Sequence, residues 1–257
     1  MRLELTVLGS GTSLGVPTIG CRCAVCLSED PRDKRTRPSI LLRYNGRAVV
    51  IDTGPDFRAQ AIRAHLDRLD AVLFTHAHAD HVLGLDDIRP FNIHQGKSVP
   101  LYGNRQAIEG LRRIFQYVFD GNYPWGGVPL VEAQIISGPL ELFGLEFVPV
   151  RVRHGYLDVF GFRFGSVAYL TDYNEIPDAS LQLLQGLDVV FLDALRHTPH
   201  PTHMTVAQAL EQVERLRPKR AFFTHIAHDL GHEETNRQLP EHVRLCYDGM
   251  QIEVETG

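Results

Sequence analysis

The sequence predicts an α/β protein with two mixed sheets packed together and helices on the outside. Short apolar runs typical of buried strands recur along its 257 residues, and stretches of helical periodicity stand between many of them. The runs before and after residue 76 form two similar halves, each of which mixes β-hairpins with helices. No low-complexity linker separates the halves, so we expect a single domain spanning residues 1–257.

The first half alternates strand patterns with amphipathic stretches. Asn45-Gly46 is a strong turn signal between two strands, and Asp56 stands where a helix N-cap is expected. Pro90 is expected to end a short helix. The predicted strands cover residues 3–8, 39–44, 47–52, 69–75 and 99–102, and the predicted helices cover residues 56–66, 82–90 and 105–118.

In the second half, three predicted strands each lead to a residue that can bind a metal, namely His154, Asp172 and His225. Chemistry is common at the carboxyl ends of strands in α/β proteins, because an exposed loop there rests on a rigid support. The predicted elements are a hairpin over residues 140–153, strands at 160–165, 167–171, 187–193, 220–224 and 251–255, and helices at 178–185 and 205–216.

Composition and charge are those of an ordinary globular protein, with 44% hydrophobic and 22% charged residues. The net charge of −5, with no prominent basic run beyond residues 32–37, argues against broad nucleic-acid binding. No apolar run approaches the roughly 20 residues that cross a bilayer, and the first residues lack the apolar core of a signal peptide. We therefore expect a cytoplasmic protein without a membrane partner. The sequence does not decide between a monomer and a homodimer.

The most informative segment is residues 75–81, THAHADH, at the end of a predicted buried strand. His76 and His78 are two residues apart and point the same way in an extended chain, whereas Asp80 and His81 are adjacent and diverge. Imidazoles mixed with a carboxylate suit zinc or manganese better than calcium. The spacing therefore predicts two ligand groups that face two neighbouring metal ions.

Three cysteines, Cys21, Cys23 and Cys26, form a second candidate metal site. Thiolates select zinc, and a tetrahedral zinc site needs a fourth ligand from elsewhere in the chain. A disulfide is disfavoured in a reducing cytoplasm. Cys246 lies in an apolar, strand-like stretch and is expected to be a small buried hydrophobe.

Four further features have alternative interpretations. Asp52 either caps its loop or orients a metal-binding histidine, and we favour the second role. Residues 9–15 are rich in glycine but lack a full phosphate-binding signature, so we expect a tight loop beneath the site. Arg89 is expected either to face a phosphate oxygen or to face solvent. The aromatic segment 115–127 is a lid, a partner surface or ordinary packing.

The series His-x-His-x-Asp-His, followed later by His, Asp and His, resembles the metallo-β-lactamase superfamily of metal hydrolases over nearly the full length. The resemblance implies a four-layer αβ/βα sandwich with two metals at the edge between its sheets. It further implies one ligand set for each metal and a shared carboxylate. These are His76, His78 and His154 for the first metal, Asp80, His81 and His225 for the second, and Asp172 as the bridge.

Within this superfamily, the chain is similar to the phosphoribosyl 1,2-cyclic phosphate phosphodiesterases of the carbon–phosphorus lyase pathway. The Gly-rich loop, Gly15-Val-Pro17 and the three cysteines carry this similarity. It implies that His228 is the fourth ligand of a structural zinc. It also implies that His203, just before a helix, contacts the phosphate, which makes Asp80 and His203 the expected catalytic residues.

An imidazole of near-neutral pKa can protonate a leaving alkoxide, which gives His203 a chemical role. His197 and His200 lie close by in the sequence and are its rivals.

The sequence therefore predicts a metal-dependent phosphoric diester hydrolase that acts on a small, cyclic phosphodiester through in-line attack by a metal-bridging hydroxide. Its expected cofactors are two catalytic divalent ions, zinc or manganese, and one structural zinc. One alternative is a tRNA 3′-processing endonuclease, which we disfavour because the chain is acidic and has no insertion rich in Gly, Lys and Arg. The other is a non-catalytic metal-binding protein of the same fold.

Overall fold

The computed structural model describes residues 1–121 and 126–255. Within these ranges the strands are β1 (Arg2–Gly9), β2 (Ser39–Tyr44), β3 (Arg47–Ile51), β4 (Ala71–Leu73), β5 (Val99–Gly103), β6 (Val131–Ile135), β7 (Leu140–Leu142), β8 (Leu145–His154), β9 (Leu157–Phe164), β10 (Val167–Tyr169), β11 (Val189–Asp193), β12 (Arg220–Thr224), β13 (Val243–Leu245) and β14 (Gln251–Glu255).

The α-helices are α1 (Ala24–Leu27), α2 (Phe57–Arg63), α3 (Ala79–Val82), α4 (Arg89–Gln95), α5 (Arg105–Ile114), α6 (Gln116–Phe119), α7 (Asp178–Leu183), α8 (Val206–Leu216) and α9 (His232–Gln238). Short 3₁₀ helices lie at Pro31–Asp33 and Leu85–Ile88.

The strands form two mixed sheets of seven strands each. The first has the order β14-β1-β2-β3-β4-β5-β6, antiparallel from β14 to β3 and parallel from β3 to β6. The second has the order β13-β12-β11-β10-β9-β8-β7, parallel from β13 to β10 and antiparallel from β10 to β7. Parallel neighbours bring their carboxyl ends to the same edge, which is where the candidate ligands follow.

The side chains of β4 show why the sheets are layered between helices. Ala71 and Leu73 belong to the central apolar cluster, which contains residues of both sheets. Val72 and Phe74 belong to a second cluster, together with residues of α2 and α5. Because neighbouring side chains of a strand point to opposite faces, β4 is buried on both sides. Two mixed sheets with helices around them confirm the predicted fold class.

Several element predictions were wrong in detail. Pro90 lies in the first turn of α4 rather than at a helix end, because a proline there loses no intrahelical hydrogen bond. The helix predicted over residues 105–118 divides at Phe115, whose φ of −110° and ψ of 44° are not helical. The predictions missed β6 and also α9, whose sequence HEETNRQ has no apolar stripe to reveal a helical period.

Cys246 is fully buried, as predicted. Residues 1–121 and 126–255 contain no helix that is both long enough and apolar enough to cross a membrane.

Candidate metal centre

Candidate ligands follow four strands and meet at one edge of the sandwich. Residues 76–81 follow β4 in the first sheet, whereas His154 ends β8 in the second sheet. Asp172 follows β10, and His225 directly follows β12. The two sheets also meet here through the backbone, where Phe160 N donates to Thr75 O. Residues distant in sequence thus share one site.

The first ligand group consists of His76, His78 and His154, whose ligand atoms all lie within 4.8 Å of one another. The ring centres of His76 and His78 are 4.5 Å apart, and those of His78 and His154 are 5.2 Å apart. His76 and His154 are buried, but His78 is exposed. This group therefore opens to solvent on the side of His78.

The second group consists of Asp80, His81, Asp172 and His225, again with all ligand atoms within 4.8 Å. Asp172 Oδ2 lies 3.2 Å from His81 Nε2, and Asp172 Oδ1 lies 3.2 Å from His225 Nε2. Asp172 also groups with His154 and His203 within the same limit. It therefore stands between the two groups, as a shared carboxylate must.

Hydrogen bonds behind the site orient the rings. His81 Nδ1 donates to Asp52 Oδ2 at 2.7 Å, and Thr75 Oγ1 donates to the same oxygen at 2.7 Å. His154 Nδ1 donates to the carbonyl oxygen of Thr202 at 2.9 Å, because a carbonyl can only accept. Nε2 of each ring is therefore the nitrogen left to face the site, where it can bind a metal ion once it has lost its proton. The contact also gives Asp52 the orienting role that its sequence position suggests.

The backbone is left-handed at three of these positions. Asp52, Asp172 and His225 have φ values of 64°, 56° and 58°. Such conformations cost of order 1–3 kcal/mol each outside glycine and persist where the surrounding structure enforces them. All three lie at or shortly beyond the ends of strands at the site edge. The sharp turns direct these side chains back into the site.

The donor atoms fit divalent cations. His76 Nε2, Asp80 Oδ2, His81 Nε2 and His225 Nε2 are buried and have no hydrogen-bond partner among the described residues. A buried polar atom without a partner is costly, so four at one place require an explanation. Nitrogen and carboxylate donors that converge in this way fit bound divalent metal.

The pKa values of the two buried carboxyl groups are consistent with a site for divalent cations. Burial alone would raise the pKa of Asp80, but the neighbouring imidazoles of His81 and His225 hold its pKa below the usual range. Burial likewise opposes ionisation of Asp172, and His225 and His81 hold its pKa well below the usual value. Two ionised carboxylates are thus buried side by side, an arrangement that a bound cation stabilises.

The site also includes Asp193, which no sequence pattern singled out. His203 Nδ1 donates to Asp193 Oδ2 at 2.6 Å, and Tyr173 N donates to the same oxygen at 3.1 Å. The His203 ring stacks on His225 with 4.5 Å between centres. Asp193 is the last residue of the buried strand β11, and this position at the functional edge was the available signal.

The three cysteines meet His228. Cys21 Sγ and Cys23 Sγ lie 3.4 Å and 3.3 Å from His228 Nδ1, and all four ligand atoms are within 4.8 Å of one another. Contact with His228 lowers the pKa of Cys23 to about 6, whereas burial raises the pKa of Cys26 to about 11. Three thiols and one imidazole within this distance form a donor set that could hold a metal ion.

The remaining candidates have structural contacts. Arg89 pairs with Asp86 at 3.0 Å and donates to the carbonyl oxygen of Gly127, so its guanidinium is engaged within the protein. In the aromatic segment, Phe115 is buried and Tyr117 donates to Asp86 at 2.6 Å, whereas residues 122–125 lie outside the described residues.

The loop at residues 9–15 lies against the chain after His225. Ile226 N donates to Ser10 O at 2.9 Å, and Thr12 N donates to Ile226 O at 3.1 Å. The tight loop expected beneath the site is therefore adjacent to a candidate ligand.

Comparison with known proteins places this geometry in context. A solved structure described as a diphosphatase from the PhnP family is 53% identical, with a TM-score of 0.94, and the match covers 100% of this chain and 98% of that chain. Zn²⁺-bound PqqB from Methylobacterium extorquens is 18% identical with a TM-score of 0.79, covering 97% and 99% of the two chains, which shows the fold alone.

Among curated sequences, an octanoyltransferase of Porphyromonas gingivalis is 38% identical over 258 residues, covering 98% of this chain and 52% of that protein. A ribonuclease Z of Clostridium acetobutylicum is 31% identical over 116 residues, covering 42% of this chain and 32% of its own length. The chain thus spans about half or less of the length of these curated relatives.

The β-lactamase superfamily domain model matches residues 47–226, which include all the ligands of the two histidine–carboxylate groups. The metallo-β-lactamase fold implies binding of divalent metal, and the diphosphatase neighbour supports a metal-dependent hydrolase. The chain belongs to the β-lactamase superfamily.

Proposed function

We propose that this chain is a dinuclear metal-dependent phosphodiesterase that hydrolyses a small, cyclic phosphodiester. The observation that carries the proposal is the position of Asp172 between two groups of ligand atoms. The similarity to a diphosphatase at 53% identity supports chemistry at phosphorus. The acidic net charge of −5 favours a small substrate over a nucleic acid.

In this proposal each ligand group holds one ion and Asp172 is shared. The mixed nitrogen and oxygen donors suit zinc or manganese, and the Cys21–Cys23–Cys26–His228 group suits a structural zinc. When bound, the catalytic pair would lower the pKa of water and neutralise charge on the phosphoryl oxygens. His81 and His154 need no reorientation to bind, because Asp52 and the Thr202 carbonyl already hold their rings.

His203 supplies the proton that the leaving oxygen needs. Its Nδ1–H stays bound to Asp193, so the ring is fixed with Nε2 as the atom that donates. The carboxylate of Asp193 stabilises the charged imidazolium before the transfer and is itself held by Tyr173 N. Asp193 is thus a positioning residue for His203.

The test compares hydrolysis of bis(p-nitrophenyl) phosphate, a cyclic sugar phosphodiester and precursor tRNA. We expect the metal-loaded protein to cleave the small diesters, and His76→Ala or Asp172→Ala to lower kcat/KM by roughly 1,000-fold or more. His65→Ala is the matched control, because His65 is exposed on the surface. Cleavage of precursor tRNA alone, or full activity of the Asp172 variant, would refute the proposal.

A further inference from the structure

A cavity of about 340 Å³ lies beside helix α9. Its floor consists of Phe222 on β12, Leu245 on β13 and Met250, all of which are buried. None of the described residues that line it belongs to a candidate group of metal ligands. The volume is at the small end of the range for ligand sites, so the cavity suits a small molecule.

The rim of this cavity carries an excess of positive charge. Three arginines line it, Arg32, Arg237 and Arg244, against one carboxylate, Glu233. Arg32 is neutralised, because it pairs with Glu233 at 2.7 Å and with Asp30 at 2.8 Å. Arg244 donates to two backbone carbonyl oxygens, and Arg237 has no hydrogen bond or ion pair within residues 1–121 and 126–255. In that part of the chain, two guanidinium groups have no counter-charge, although the net charge of the chain is −5.

A buried imidazole completes the lining. His232 is 4% exposed and packs edge-on against Tyr247, with 5.6 Å between the ring centres. Burial, together with Arg32 and Arg35, lowers the pKa of His232, so its ring is uncharged near neutral pH and has one N–H to donate. Its Nδ1 is buried, and neither ring nitrogen bonds to a described residue. A buried polar group without a partner is costly, and an acceptor bound in the cavity gives the ring its partner.

Charge and shape together select the kind of ligand. The two guanidinium groups without a counter-charge repel cations, and they bind carboxylate or phosphate oxygens through forked pairs of hydrogen bonds. The apolar floor contributes free energy only when the ligand also carries an apolar body that covers it. An inorganic anion would leave this floor in contact with water.

We propose that this cavity binds a small organic anion. Its carboxylate or phosphate contacts Arg237 and Arg244, and its apolar body covers the floor. The N–H of His232 donates to an oxygen of the same ligand. This binding site is separate from the metal centre and does not depend on the proposed function.

The chain has three methionines, whose ¹³C-labelled methyl groups allow a test by NMR on the metal-loaded full chain. Met250 lies on the floor of the cavity, whereas Met204 directly follows His203 and Met1 begins the chain. A ligand in the cavity therefore shifts the Met250 signal, and a ligand at the metal centre shifts the Met204 signal. The variant Met250→Leu assigns the signal.

Benzoate and phenyl phosphate are the probes for the two anionic groups. Benzyl alcohol is the control without charge, and inorganic phosphate is the control without an apolar body. We expect at least one organic anion to shift the Met250 signal saturably, with a Kd about tenfold or more below those of both controls. The anion with the lower Kd identifies the group that the arginines prefer. Shifts confined to Met204, or an equal Kd for benzyl alcohol, would overturn the proposal.

Arg237→Ala and Arg244→Ala should each raise the Kd for the better anion about tenfold, the loss of about one charge-assisted hydrogen bond. Arg105→Ala is the matched control, since Arg105 is exposed, pairs with Glu109 and lies outside the cavity. Methyl spectra without ligand show whether each variant is folded. An unchanged Kd in both folded variants would also overturn the proposal. If either variant fails to fold, the comparison of benzoate with benzyl alcohol on the unmodified protein decides.

Discussion

His81, His154 and His203 share one arrangement, in which Nδ1 donates to a fixed acceptor behind the ring. The acceptors are Asp52, the Thr202 carbonyl and Asp193. The same bond has different consequences, because two of the rings lie in ligand groups and the third stands beside them. In the proposed mechanism the bond leaves Nε2 of His81 and His154 to bind metal, and it supports His203 as the proton donor.

We predict that Asp193→Asn lowers kcat by roughly 100-fold or more, because an amide does not stabilise the imidazolium of His203 and permits the wrong tautomer. KM and metal content should change little. Steady-state kinetics with metal analysis provide the measurement. Asp188→Asn is the control, since Asp188 pairs with Lys219 on the surface. An unchanged kcat in Asp193→Asn would remove the proton-donor role from this pair.

At the scale of elements, α5 supports the motif directly. Asn104 caps the helix by accepting from Ala107 N at 2.7 Å, and it also donates to Asp158 O of β9 at 3.2 Å. Gly110 faces Ala77, where a Cβ on residue 110 would lie 2.4 Å from the Cβ of Ala77. The helix therefore approaches the loop between His76 and His78 as closely as a glycine allows.

Gly110→Ala should destabilise the protein by about 1–3 kcal/mol, although alanine favours a helix, because the new methyl overlaps Ala77. The shifted loop should also bind the catalytic metals more weakly. Chemical denaturation and metal titration would measure both effects. The double variant Ala77→Gly/Gly110→Ala restores the space and should recover metal binding. A Gly110→Ala variant as stable as the unmodified protein would contradict the prediction, because it would mean that the loop between His76 and His78 moves aside at no cost in free energy.

The elements differ in how far their sequences predicted them. Helix α8 was predicted within one residue, because Thr205 and Gln208 form a capping box at its start and its apolar residues recur with helical period. Helix α9 was missed because its seven residues are all polar or charged. It forms where tertiary contacts hold it, such as the bond from His232 N to Asp33. A helix or strand can be predicted from local sequence only when its own residues show the apolar period or the capping residues of that structure.

At the scale of the whole molecule, the edge of the first sheet opposite the metal centre contains a buried carboxylate. Asp70 precedes β4 and accepts from Arg68 at 2.7 Å, Arg47 at 3.1 Å and Lys97 at 3.3 Å. Burial alone would raise the pKa of Asp70, but Arg68, the Ala48 N–H and Arg47 hold it below the usual range. A depressed pKa means that ionised Asp70 stabilises the folded protein.

Asp70→Asn should therefore lower the free energy of unfolding by about 1–3 kcal/mol at pH 7. The unmodified protein should begin to lose this stability as the pH falls below the unfolded aspartate pKa of about 4, and should lose the rest only as the pH falls through the much lower folded pKa, because the folded state resists taking up a proton beside the arginines. Urea unfolding at pH 7, 5 and 3 provides the measurement. The difference in unfolding free energy between the two proteins should be the same at pH 7 and pH 5 and should begin to narrow at pH 3. A difference that stays constant down to pH 3 would contradict this origin of the stability.

The number of metal ions bound per chain should report on the histidine–carboxylate site and the cysteine site at once. We expect about three ions per chain, one retained by the cysteines and two removed by chelator. Cys23→Ser should lose the retained ion, and His78→Ala should weaken the exchangeable pair. Removal of the exchangeable pair should lower the melting temperature, because the ions bind only the folded chain. Elemental analysis and calorimetry would test this, and fewer than three ions in a fully loaded sample would contradict it.

The sequence by itself determined the fold class, most strands and the types and spacings of the candidate ligands. It did so because side-chain periodicity and short motifs such as residues 75–81 are local properties. Only the tertiary structure decided that Asp193 meets His203 and that Gly110 meets Ala77. The position of Asp172 between the two ligand groups was implied by the family resemblance and not by any local pattern. These contacts depend on the register of distant strands and on how closely layers pack, neither of which a local pattern encodes.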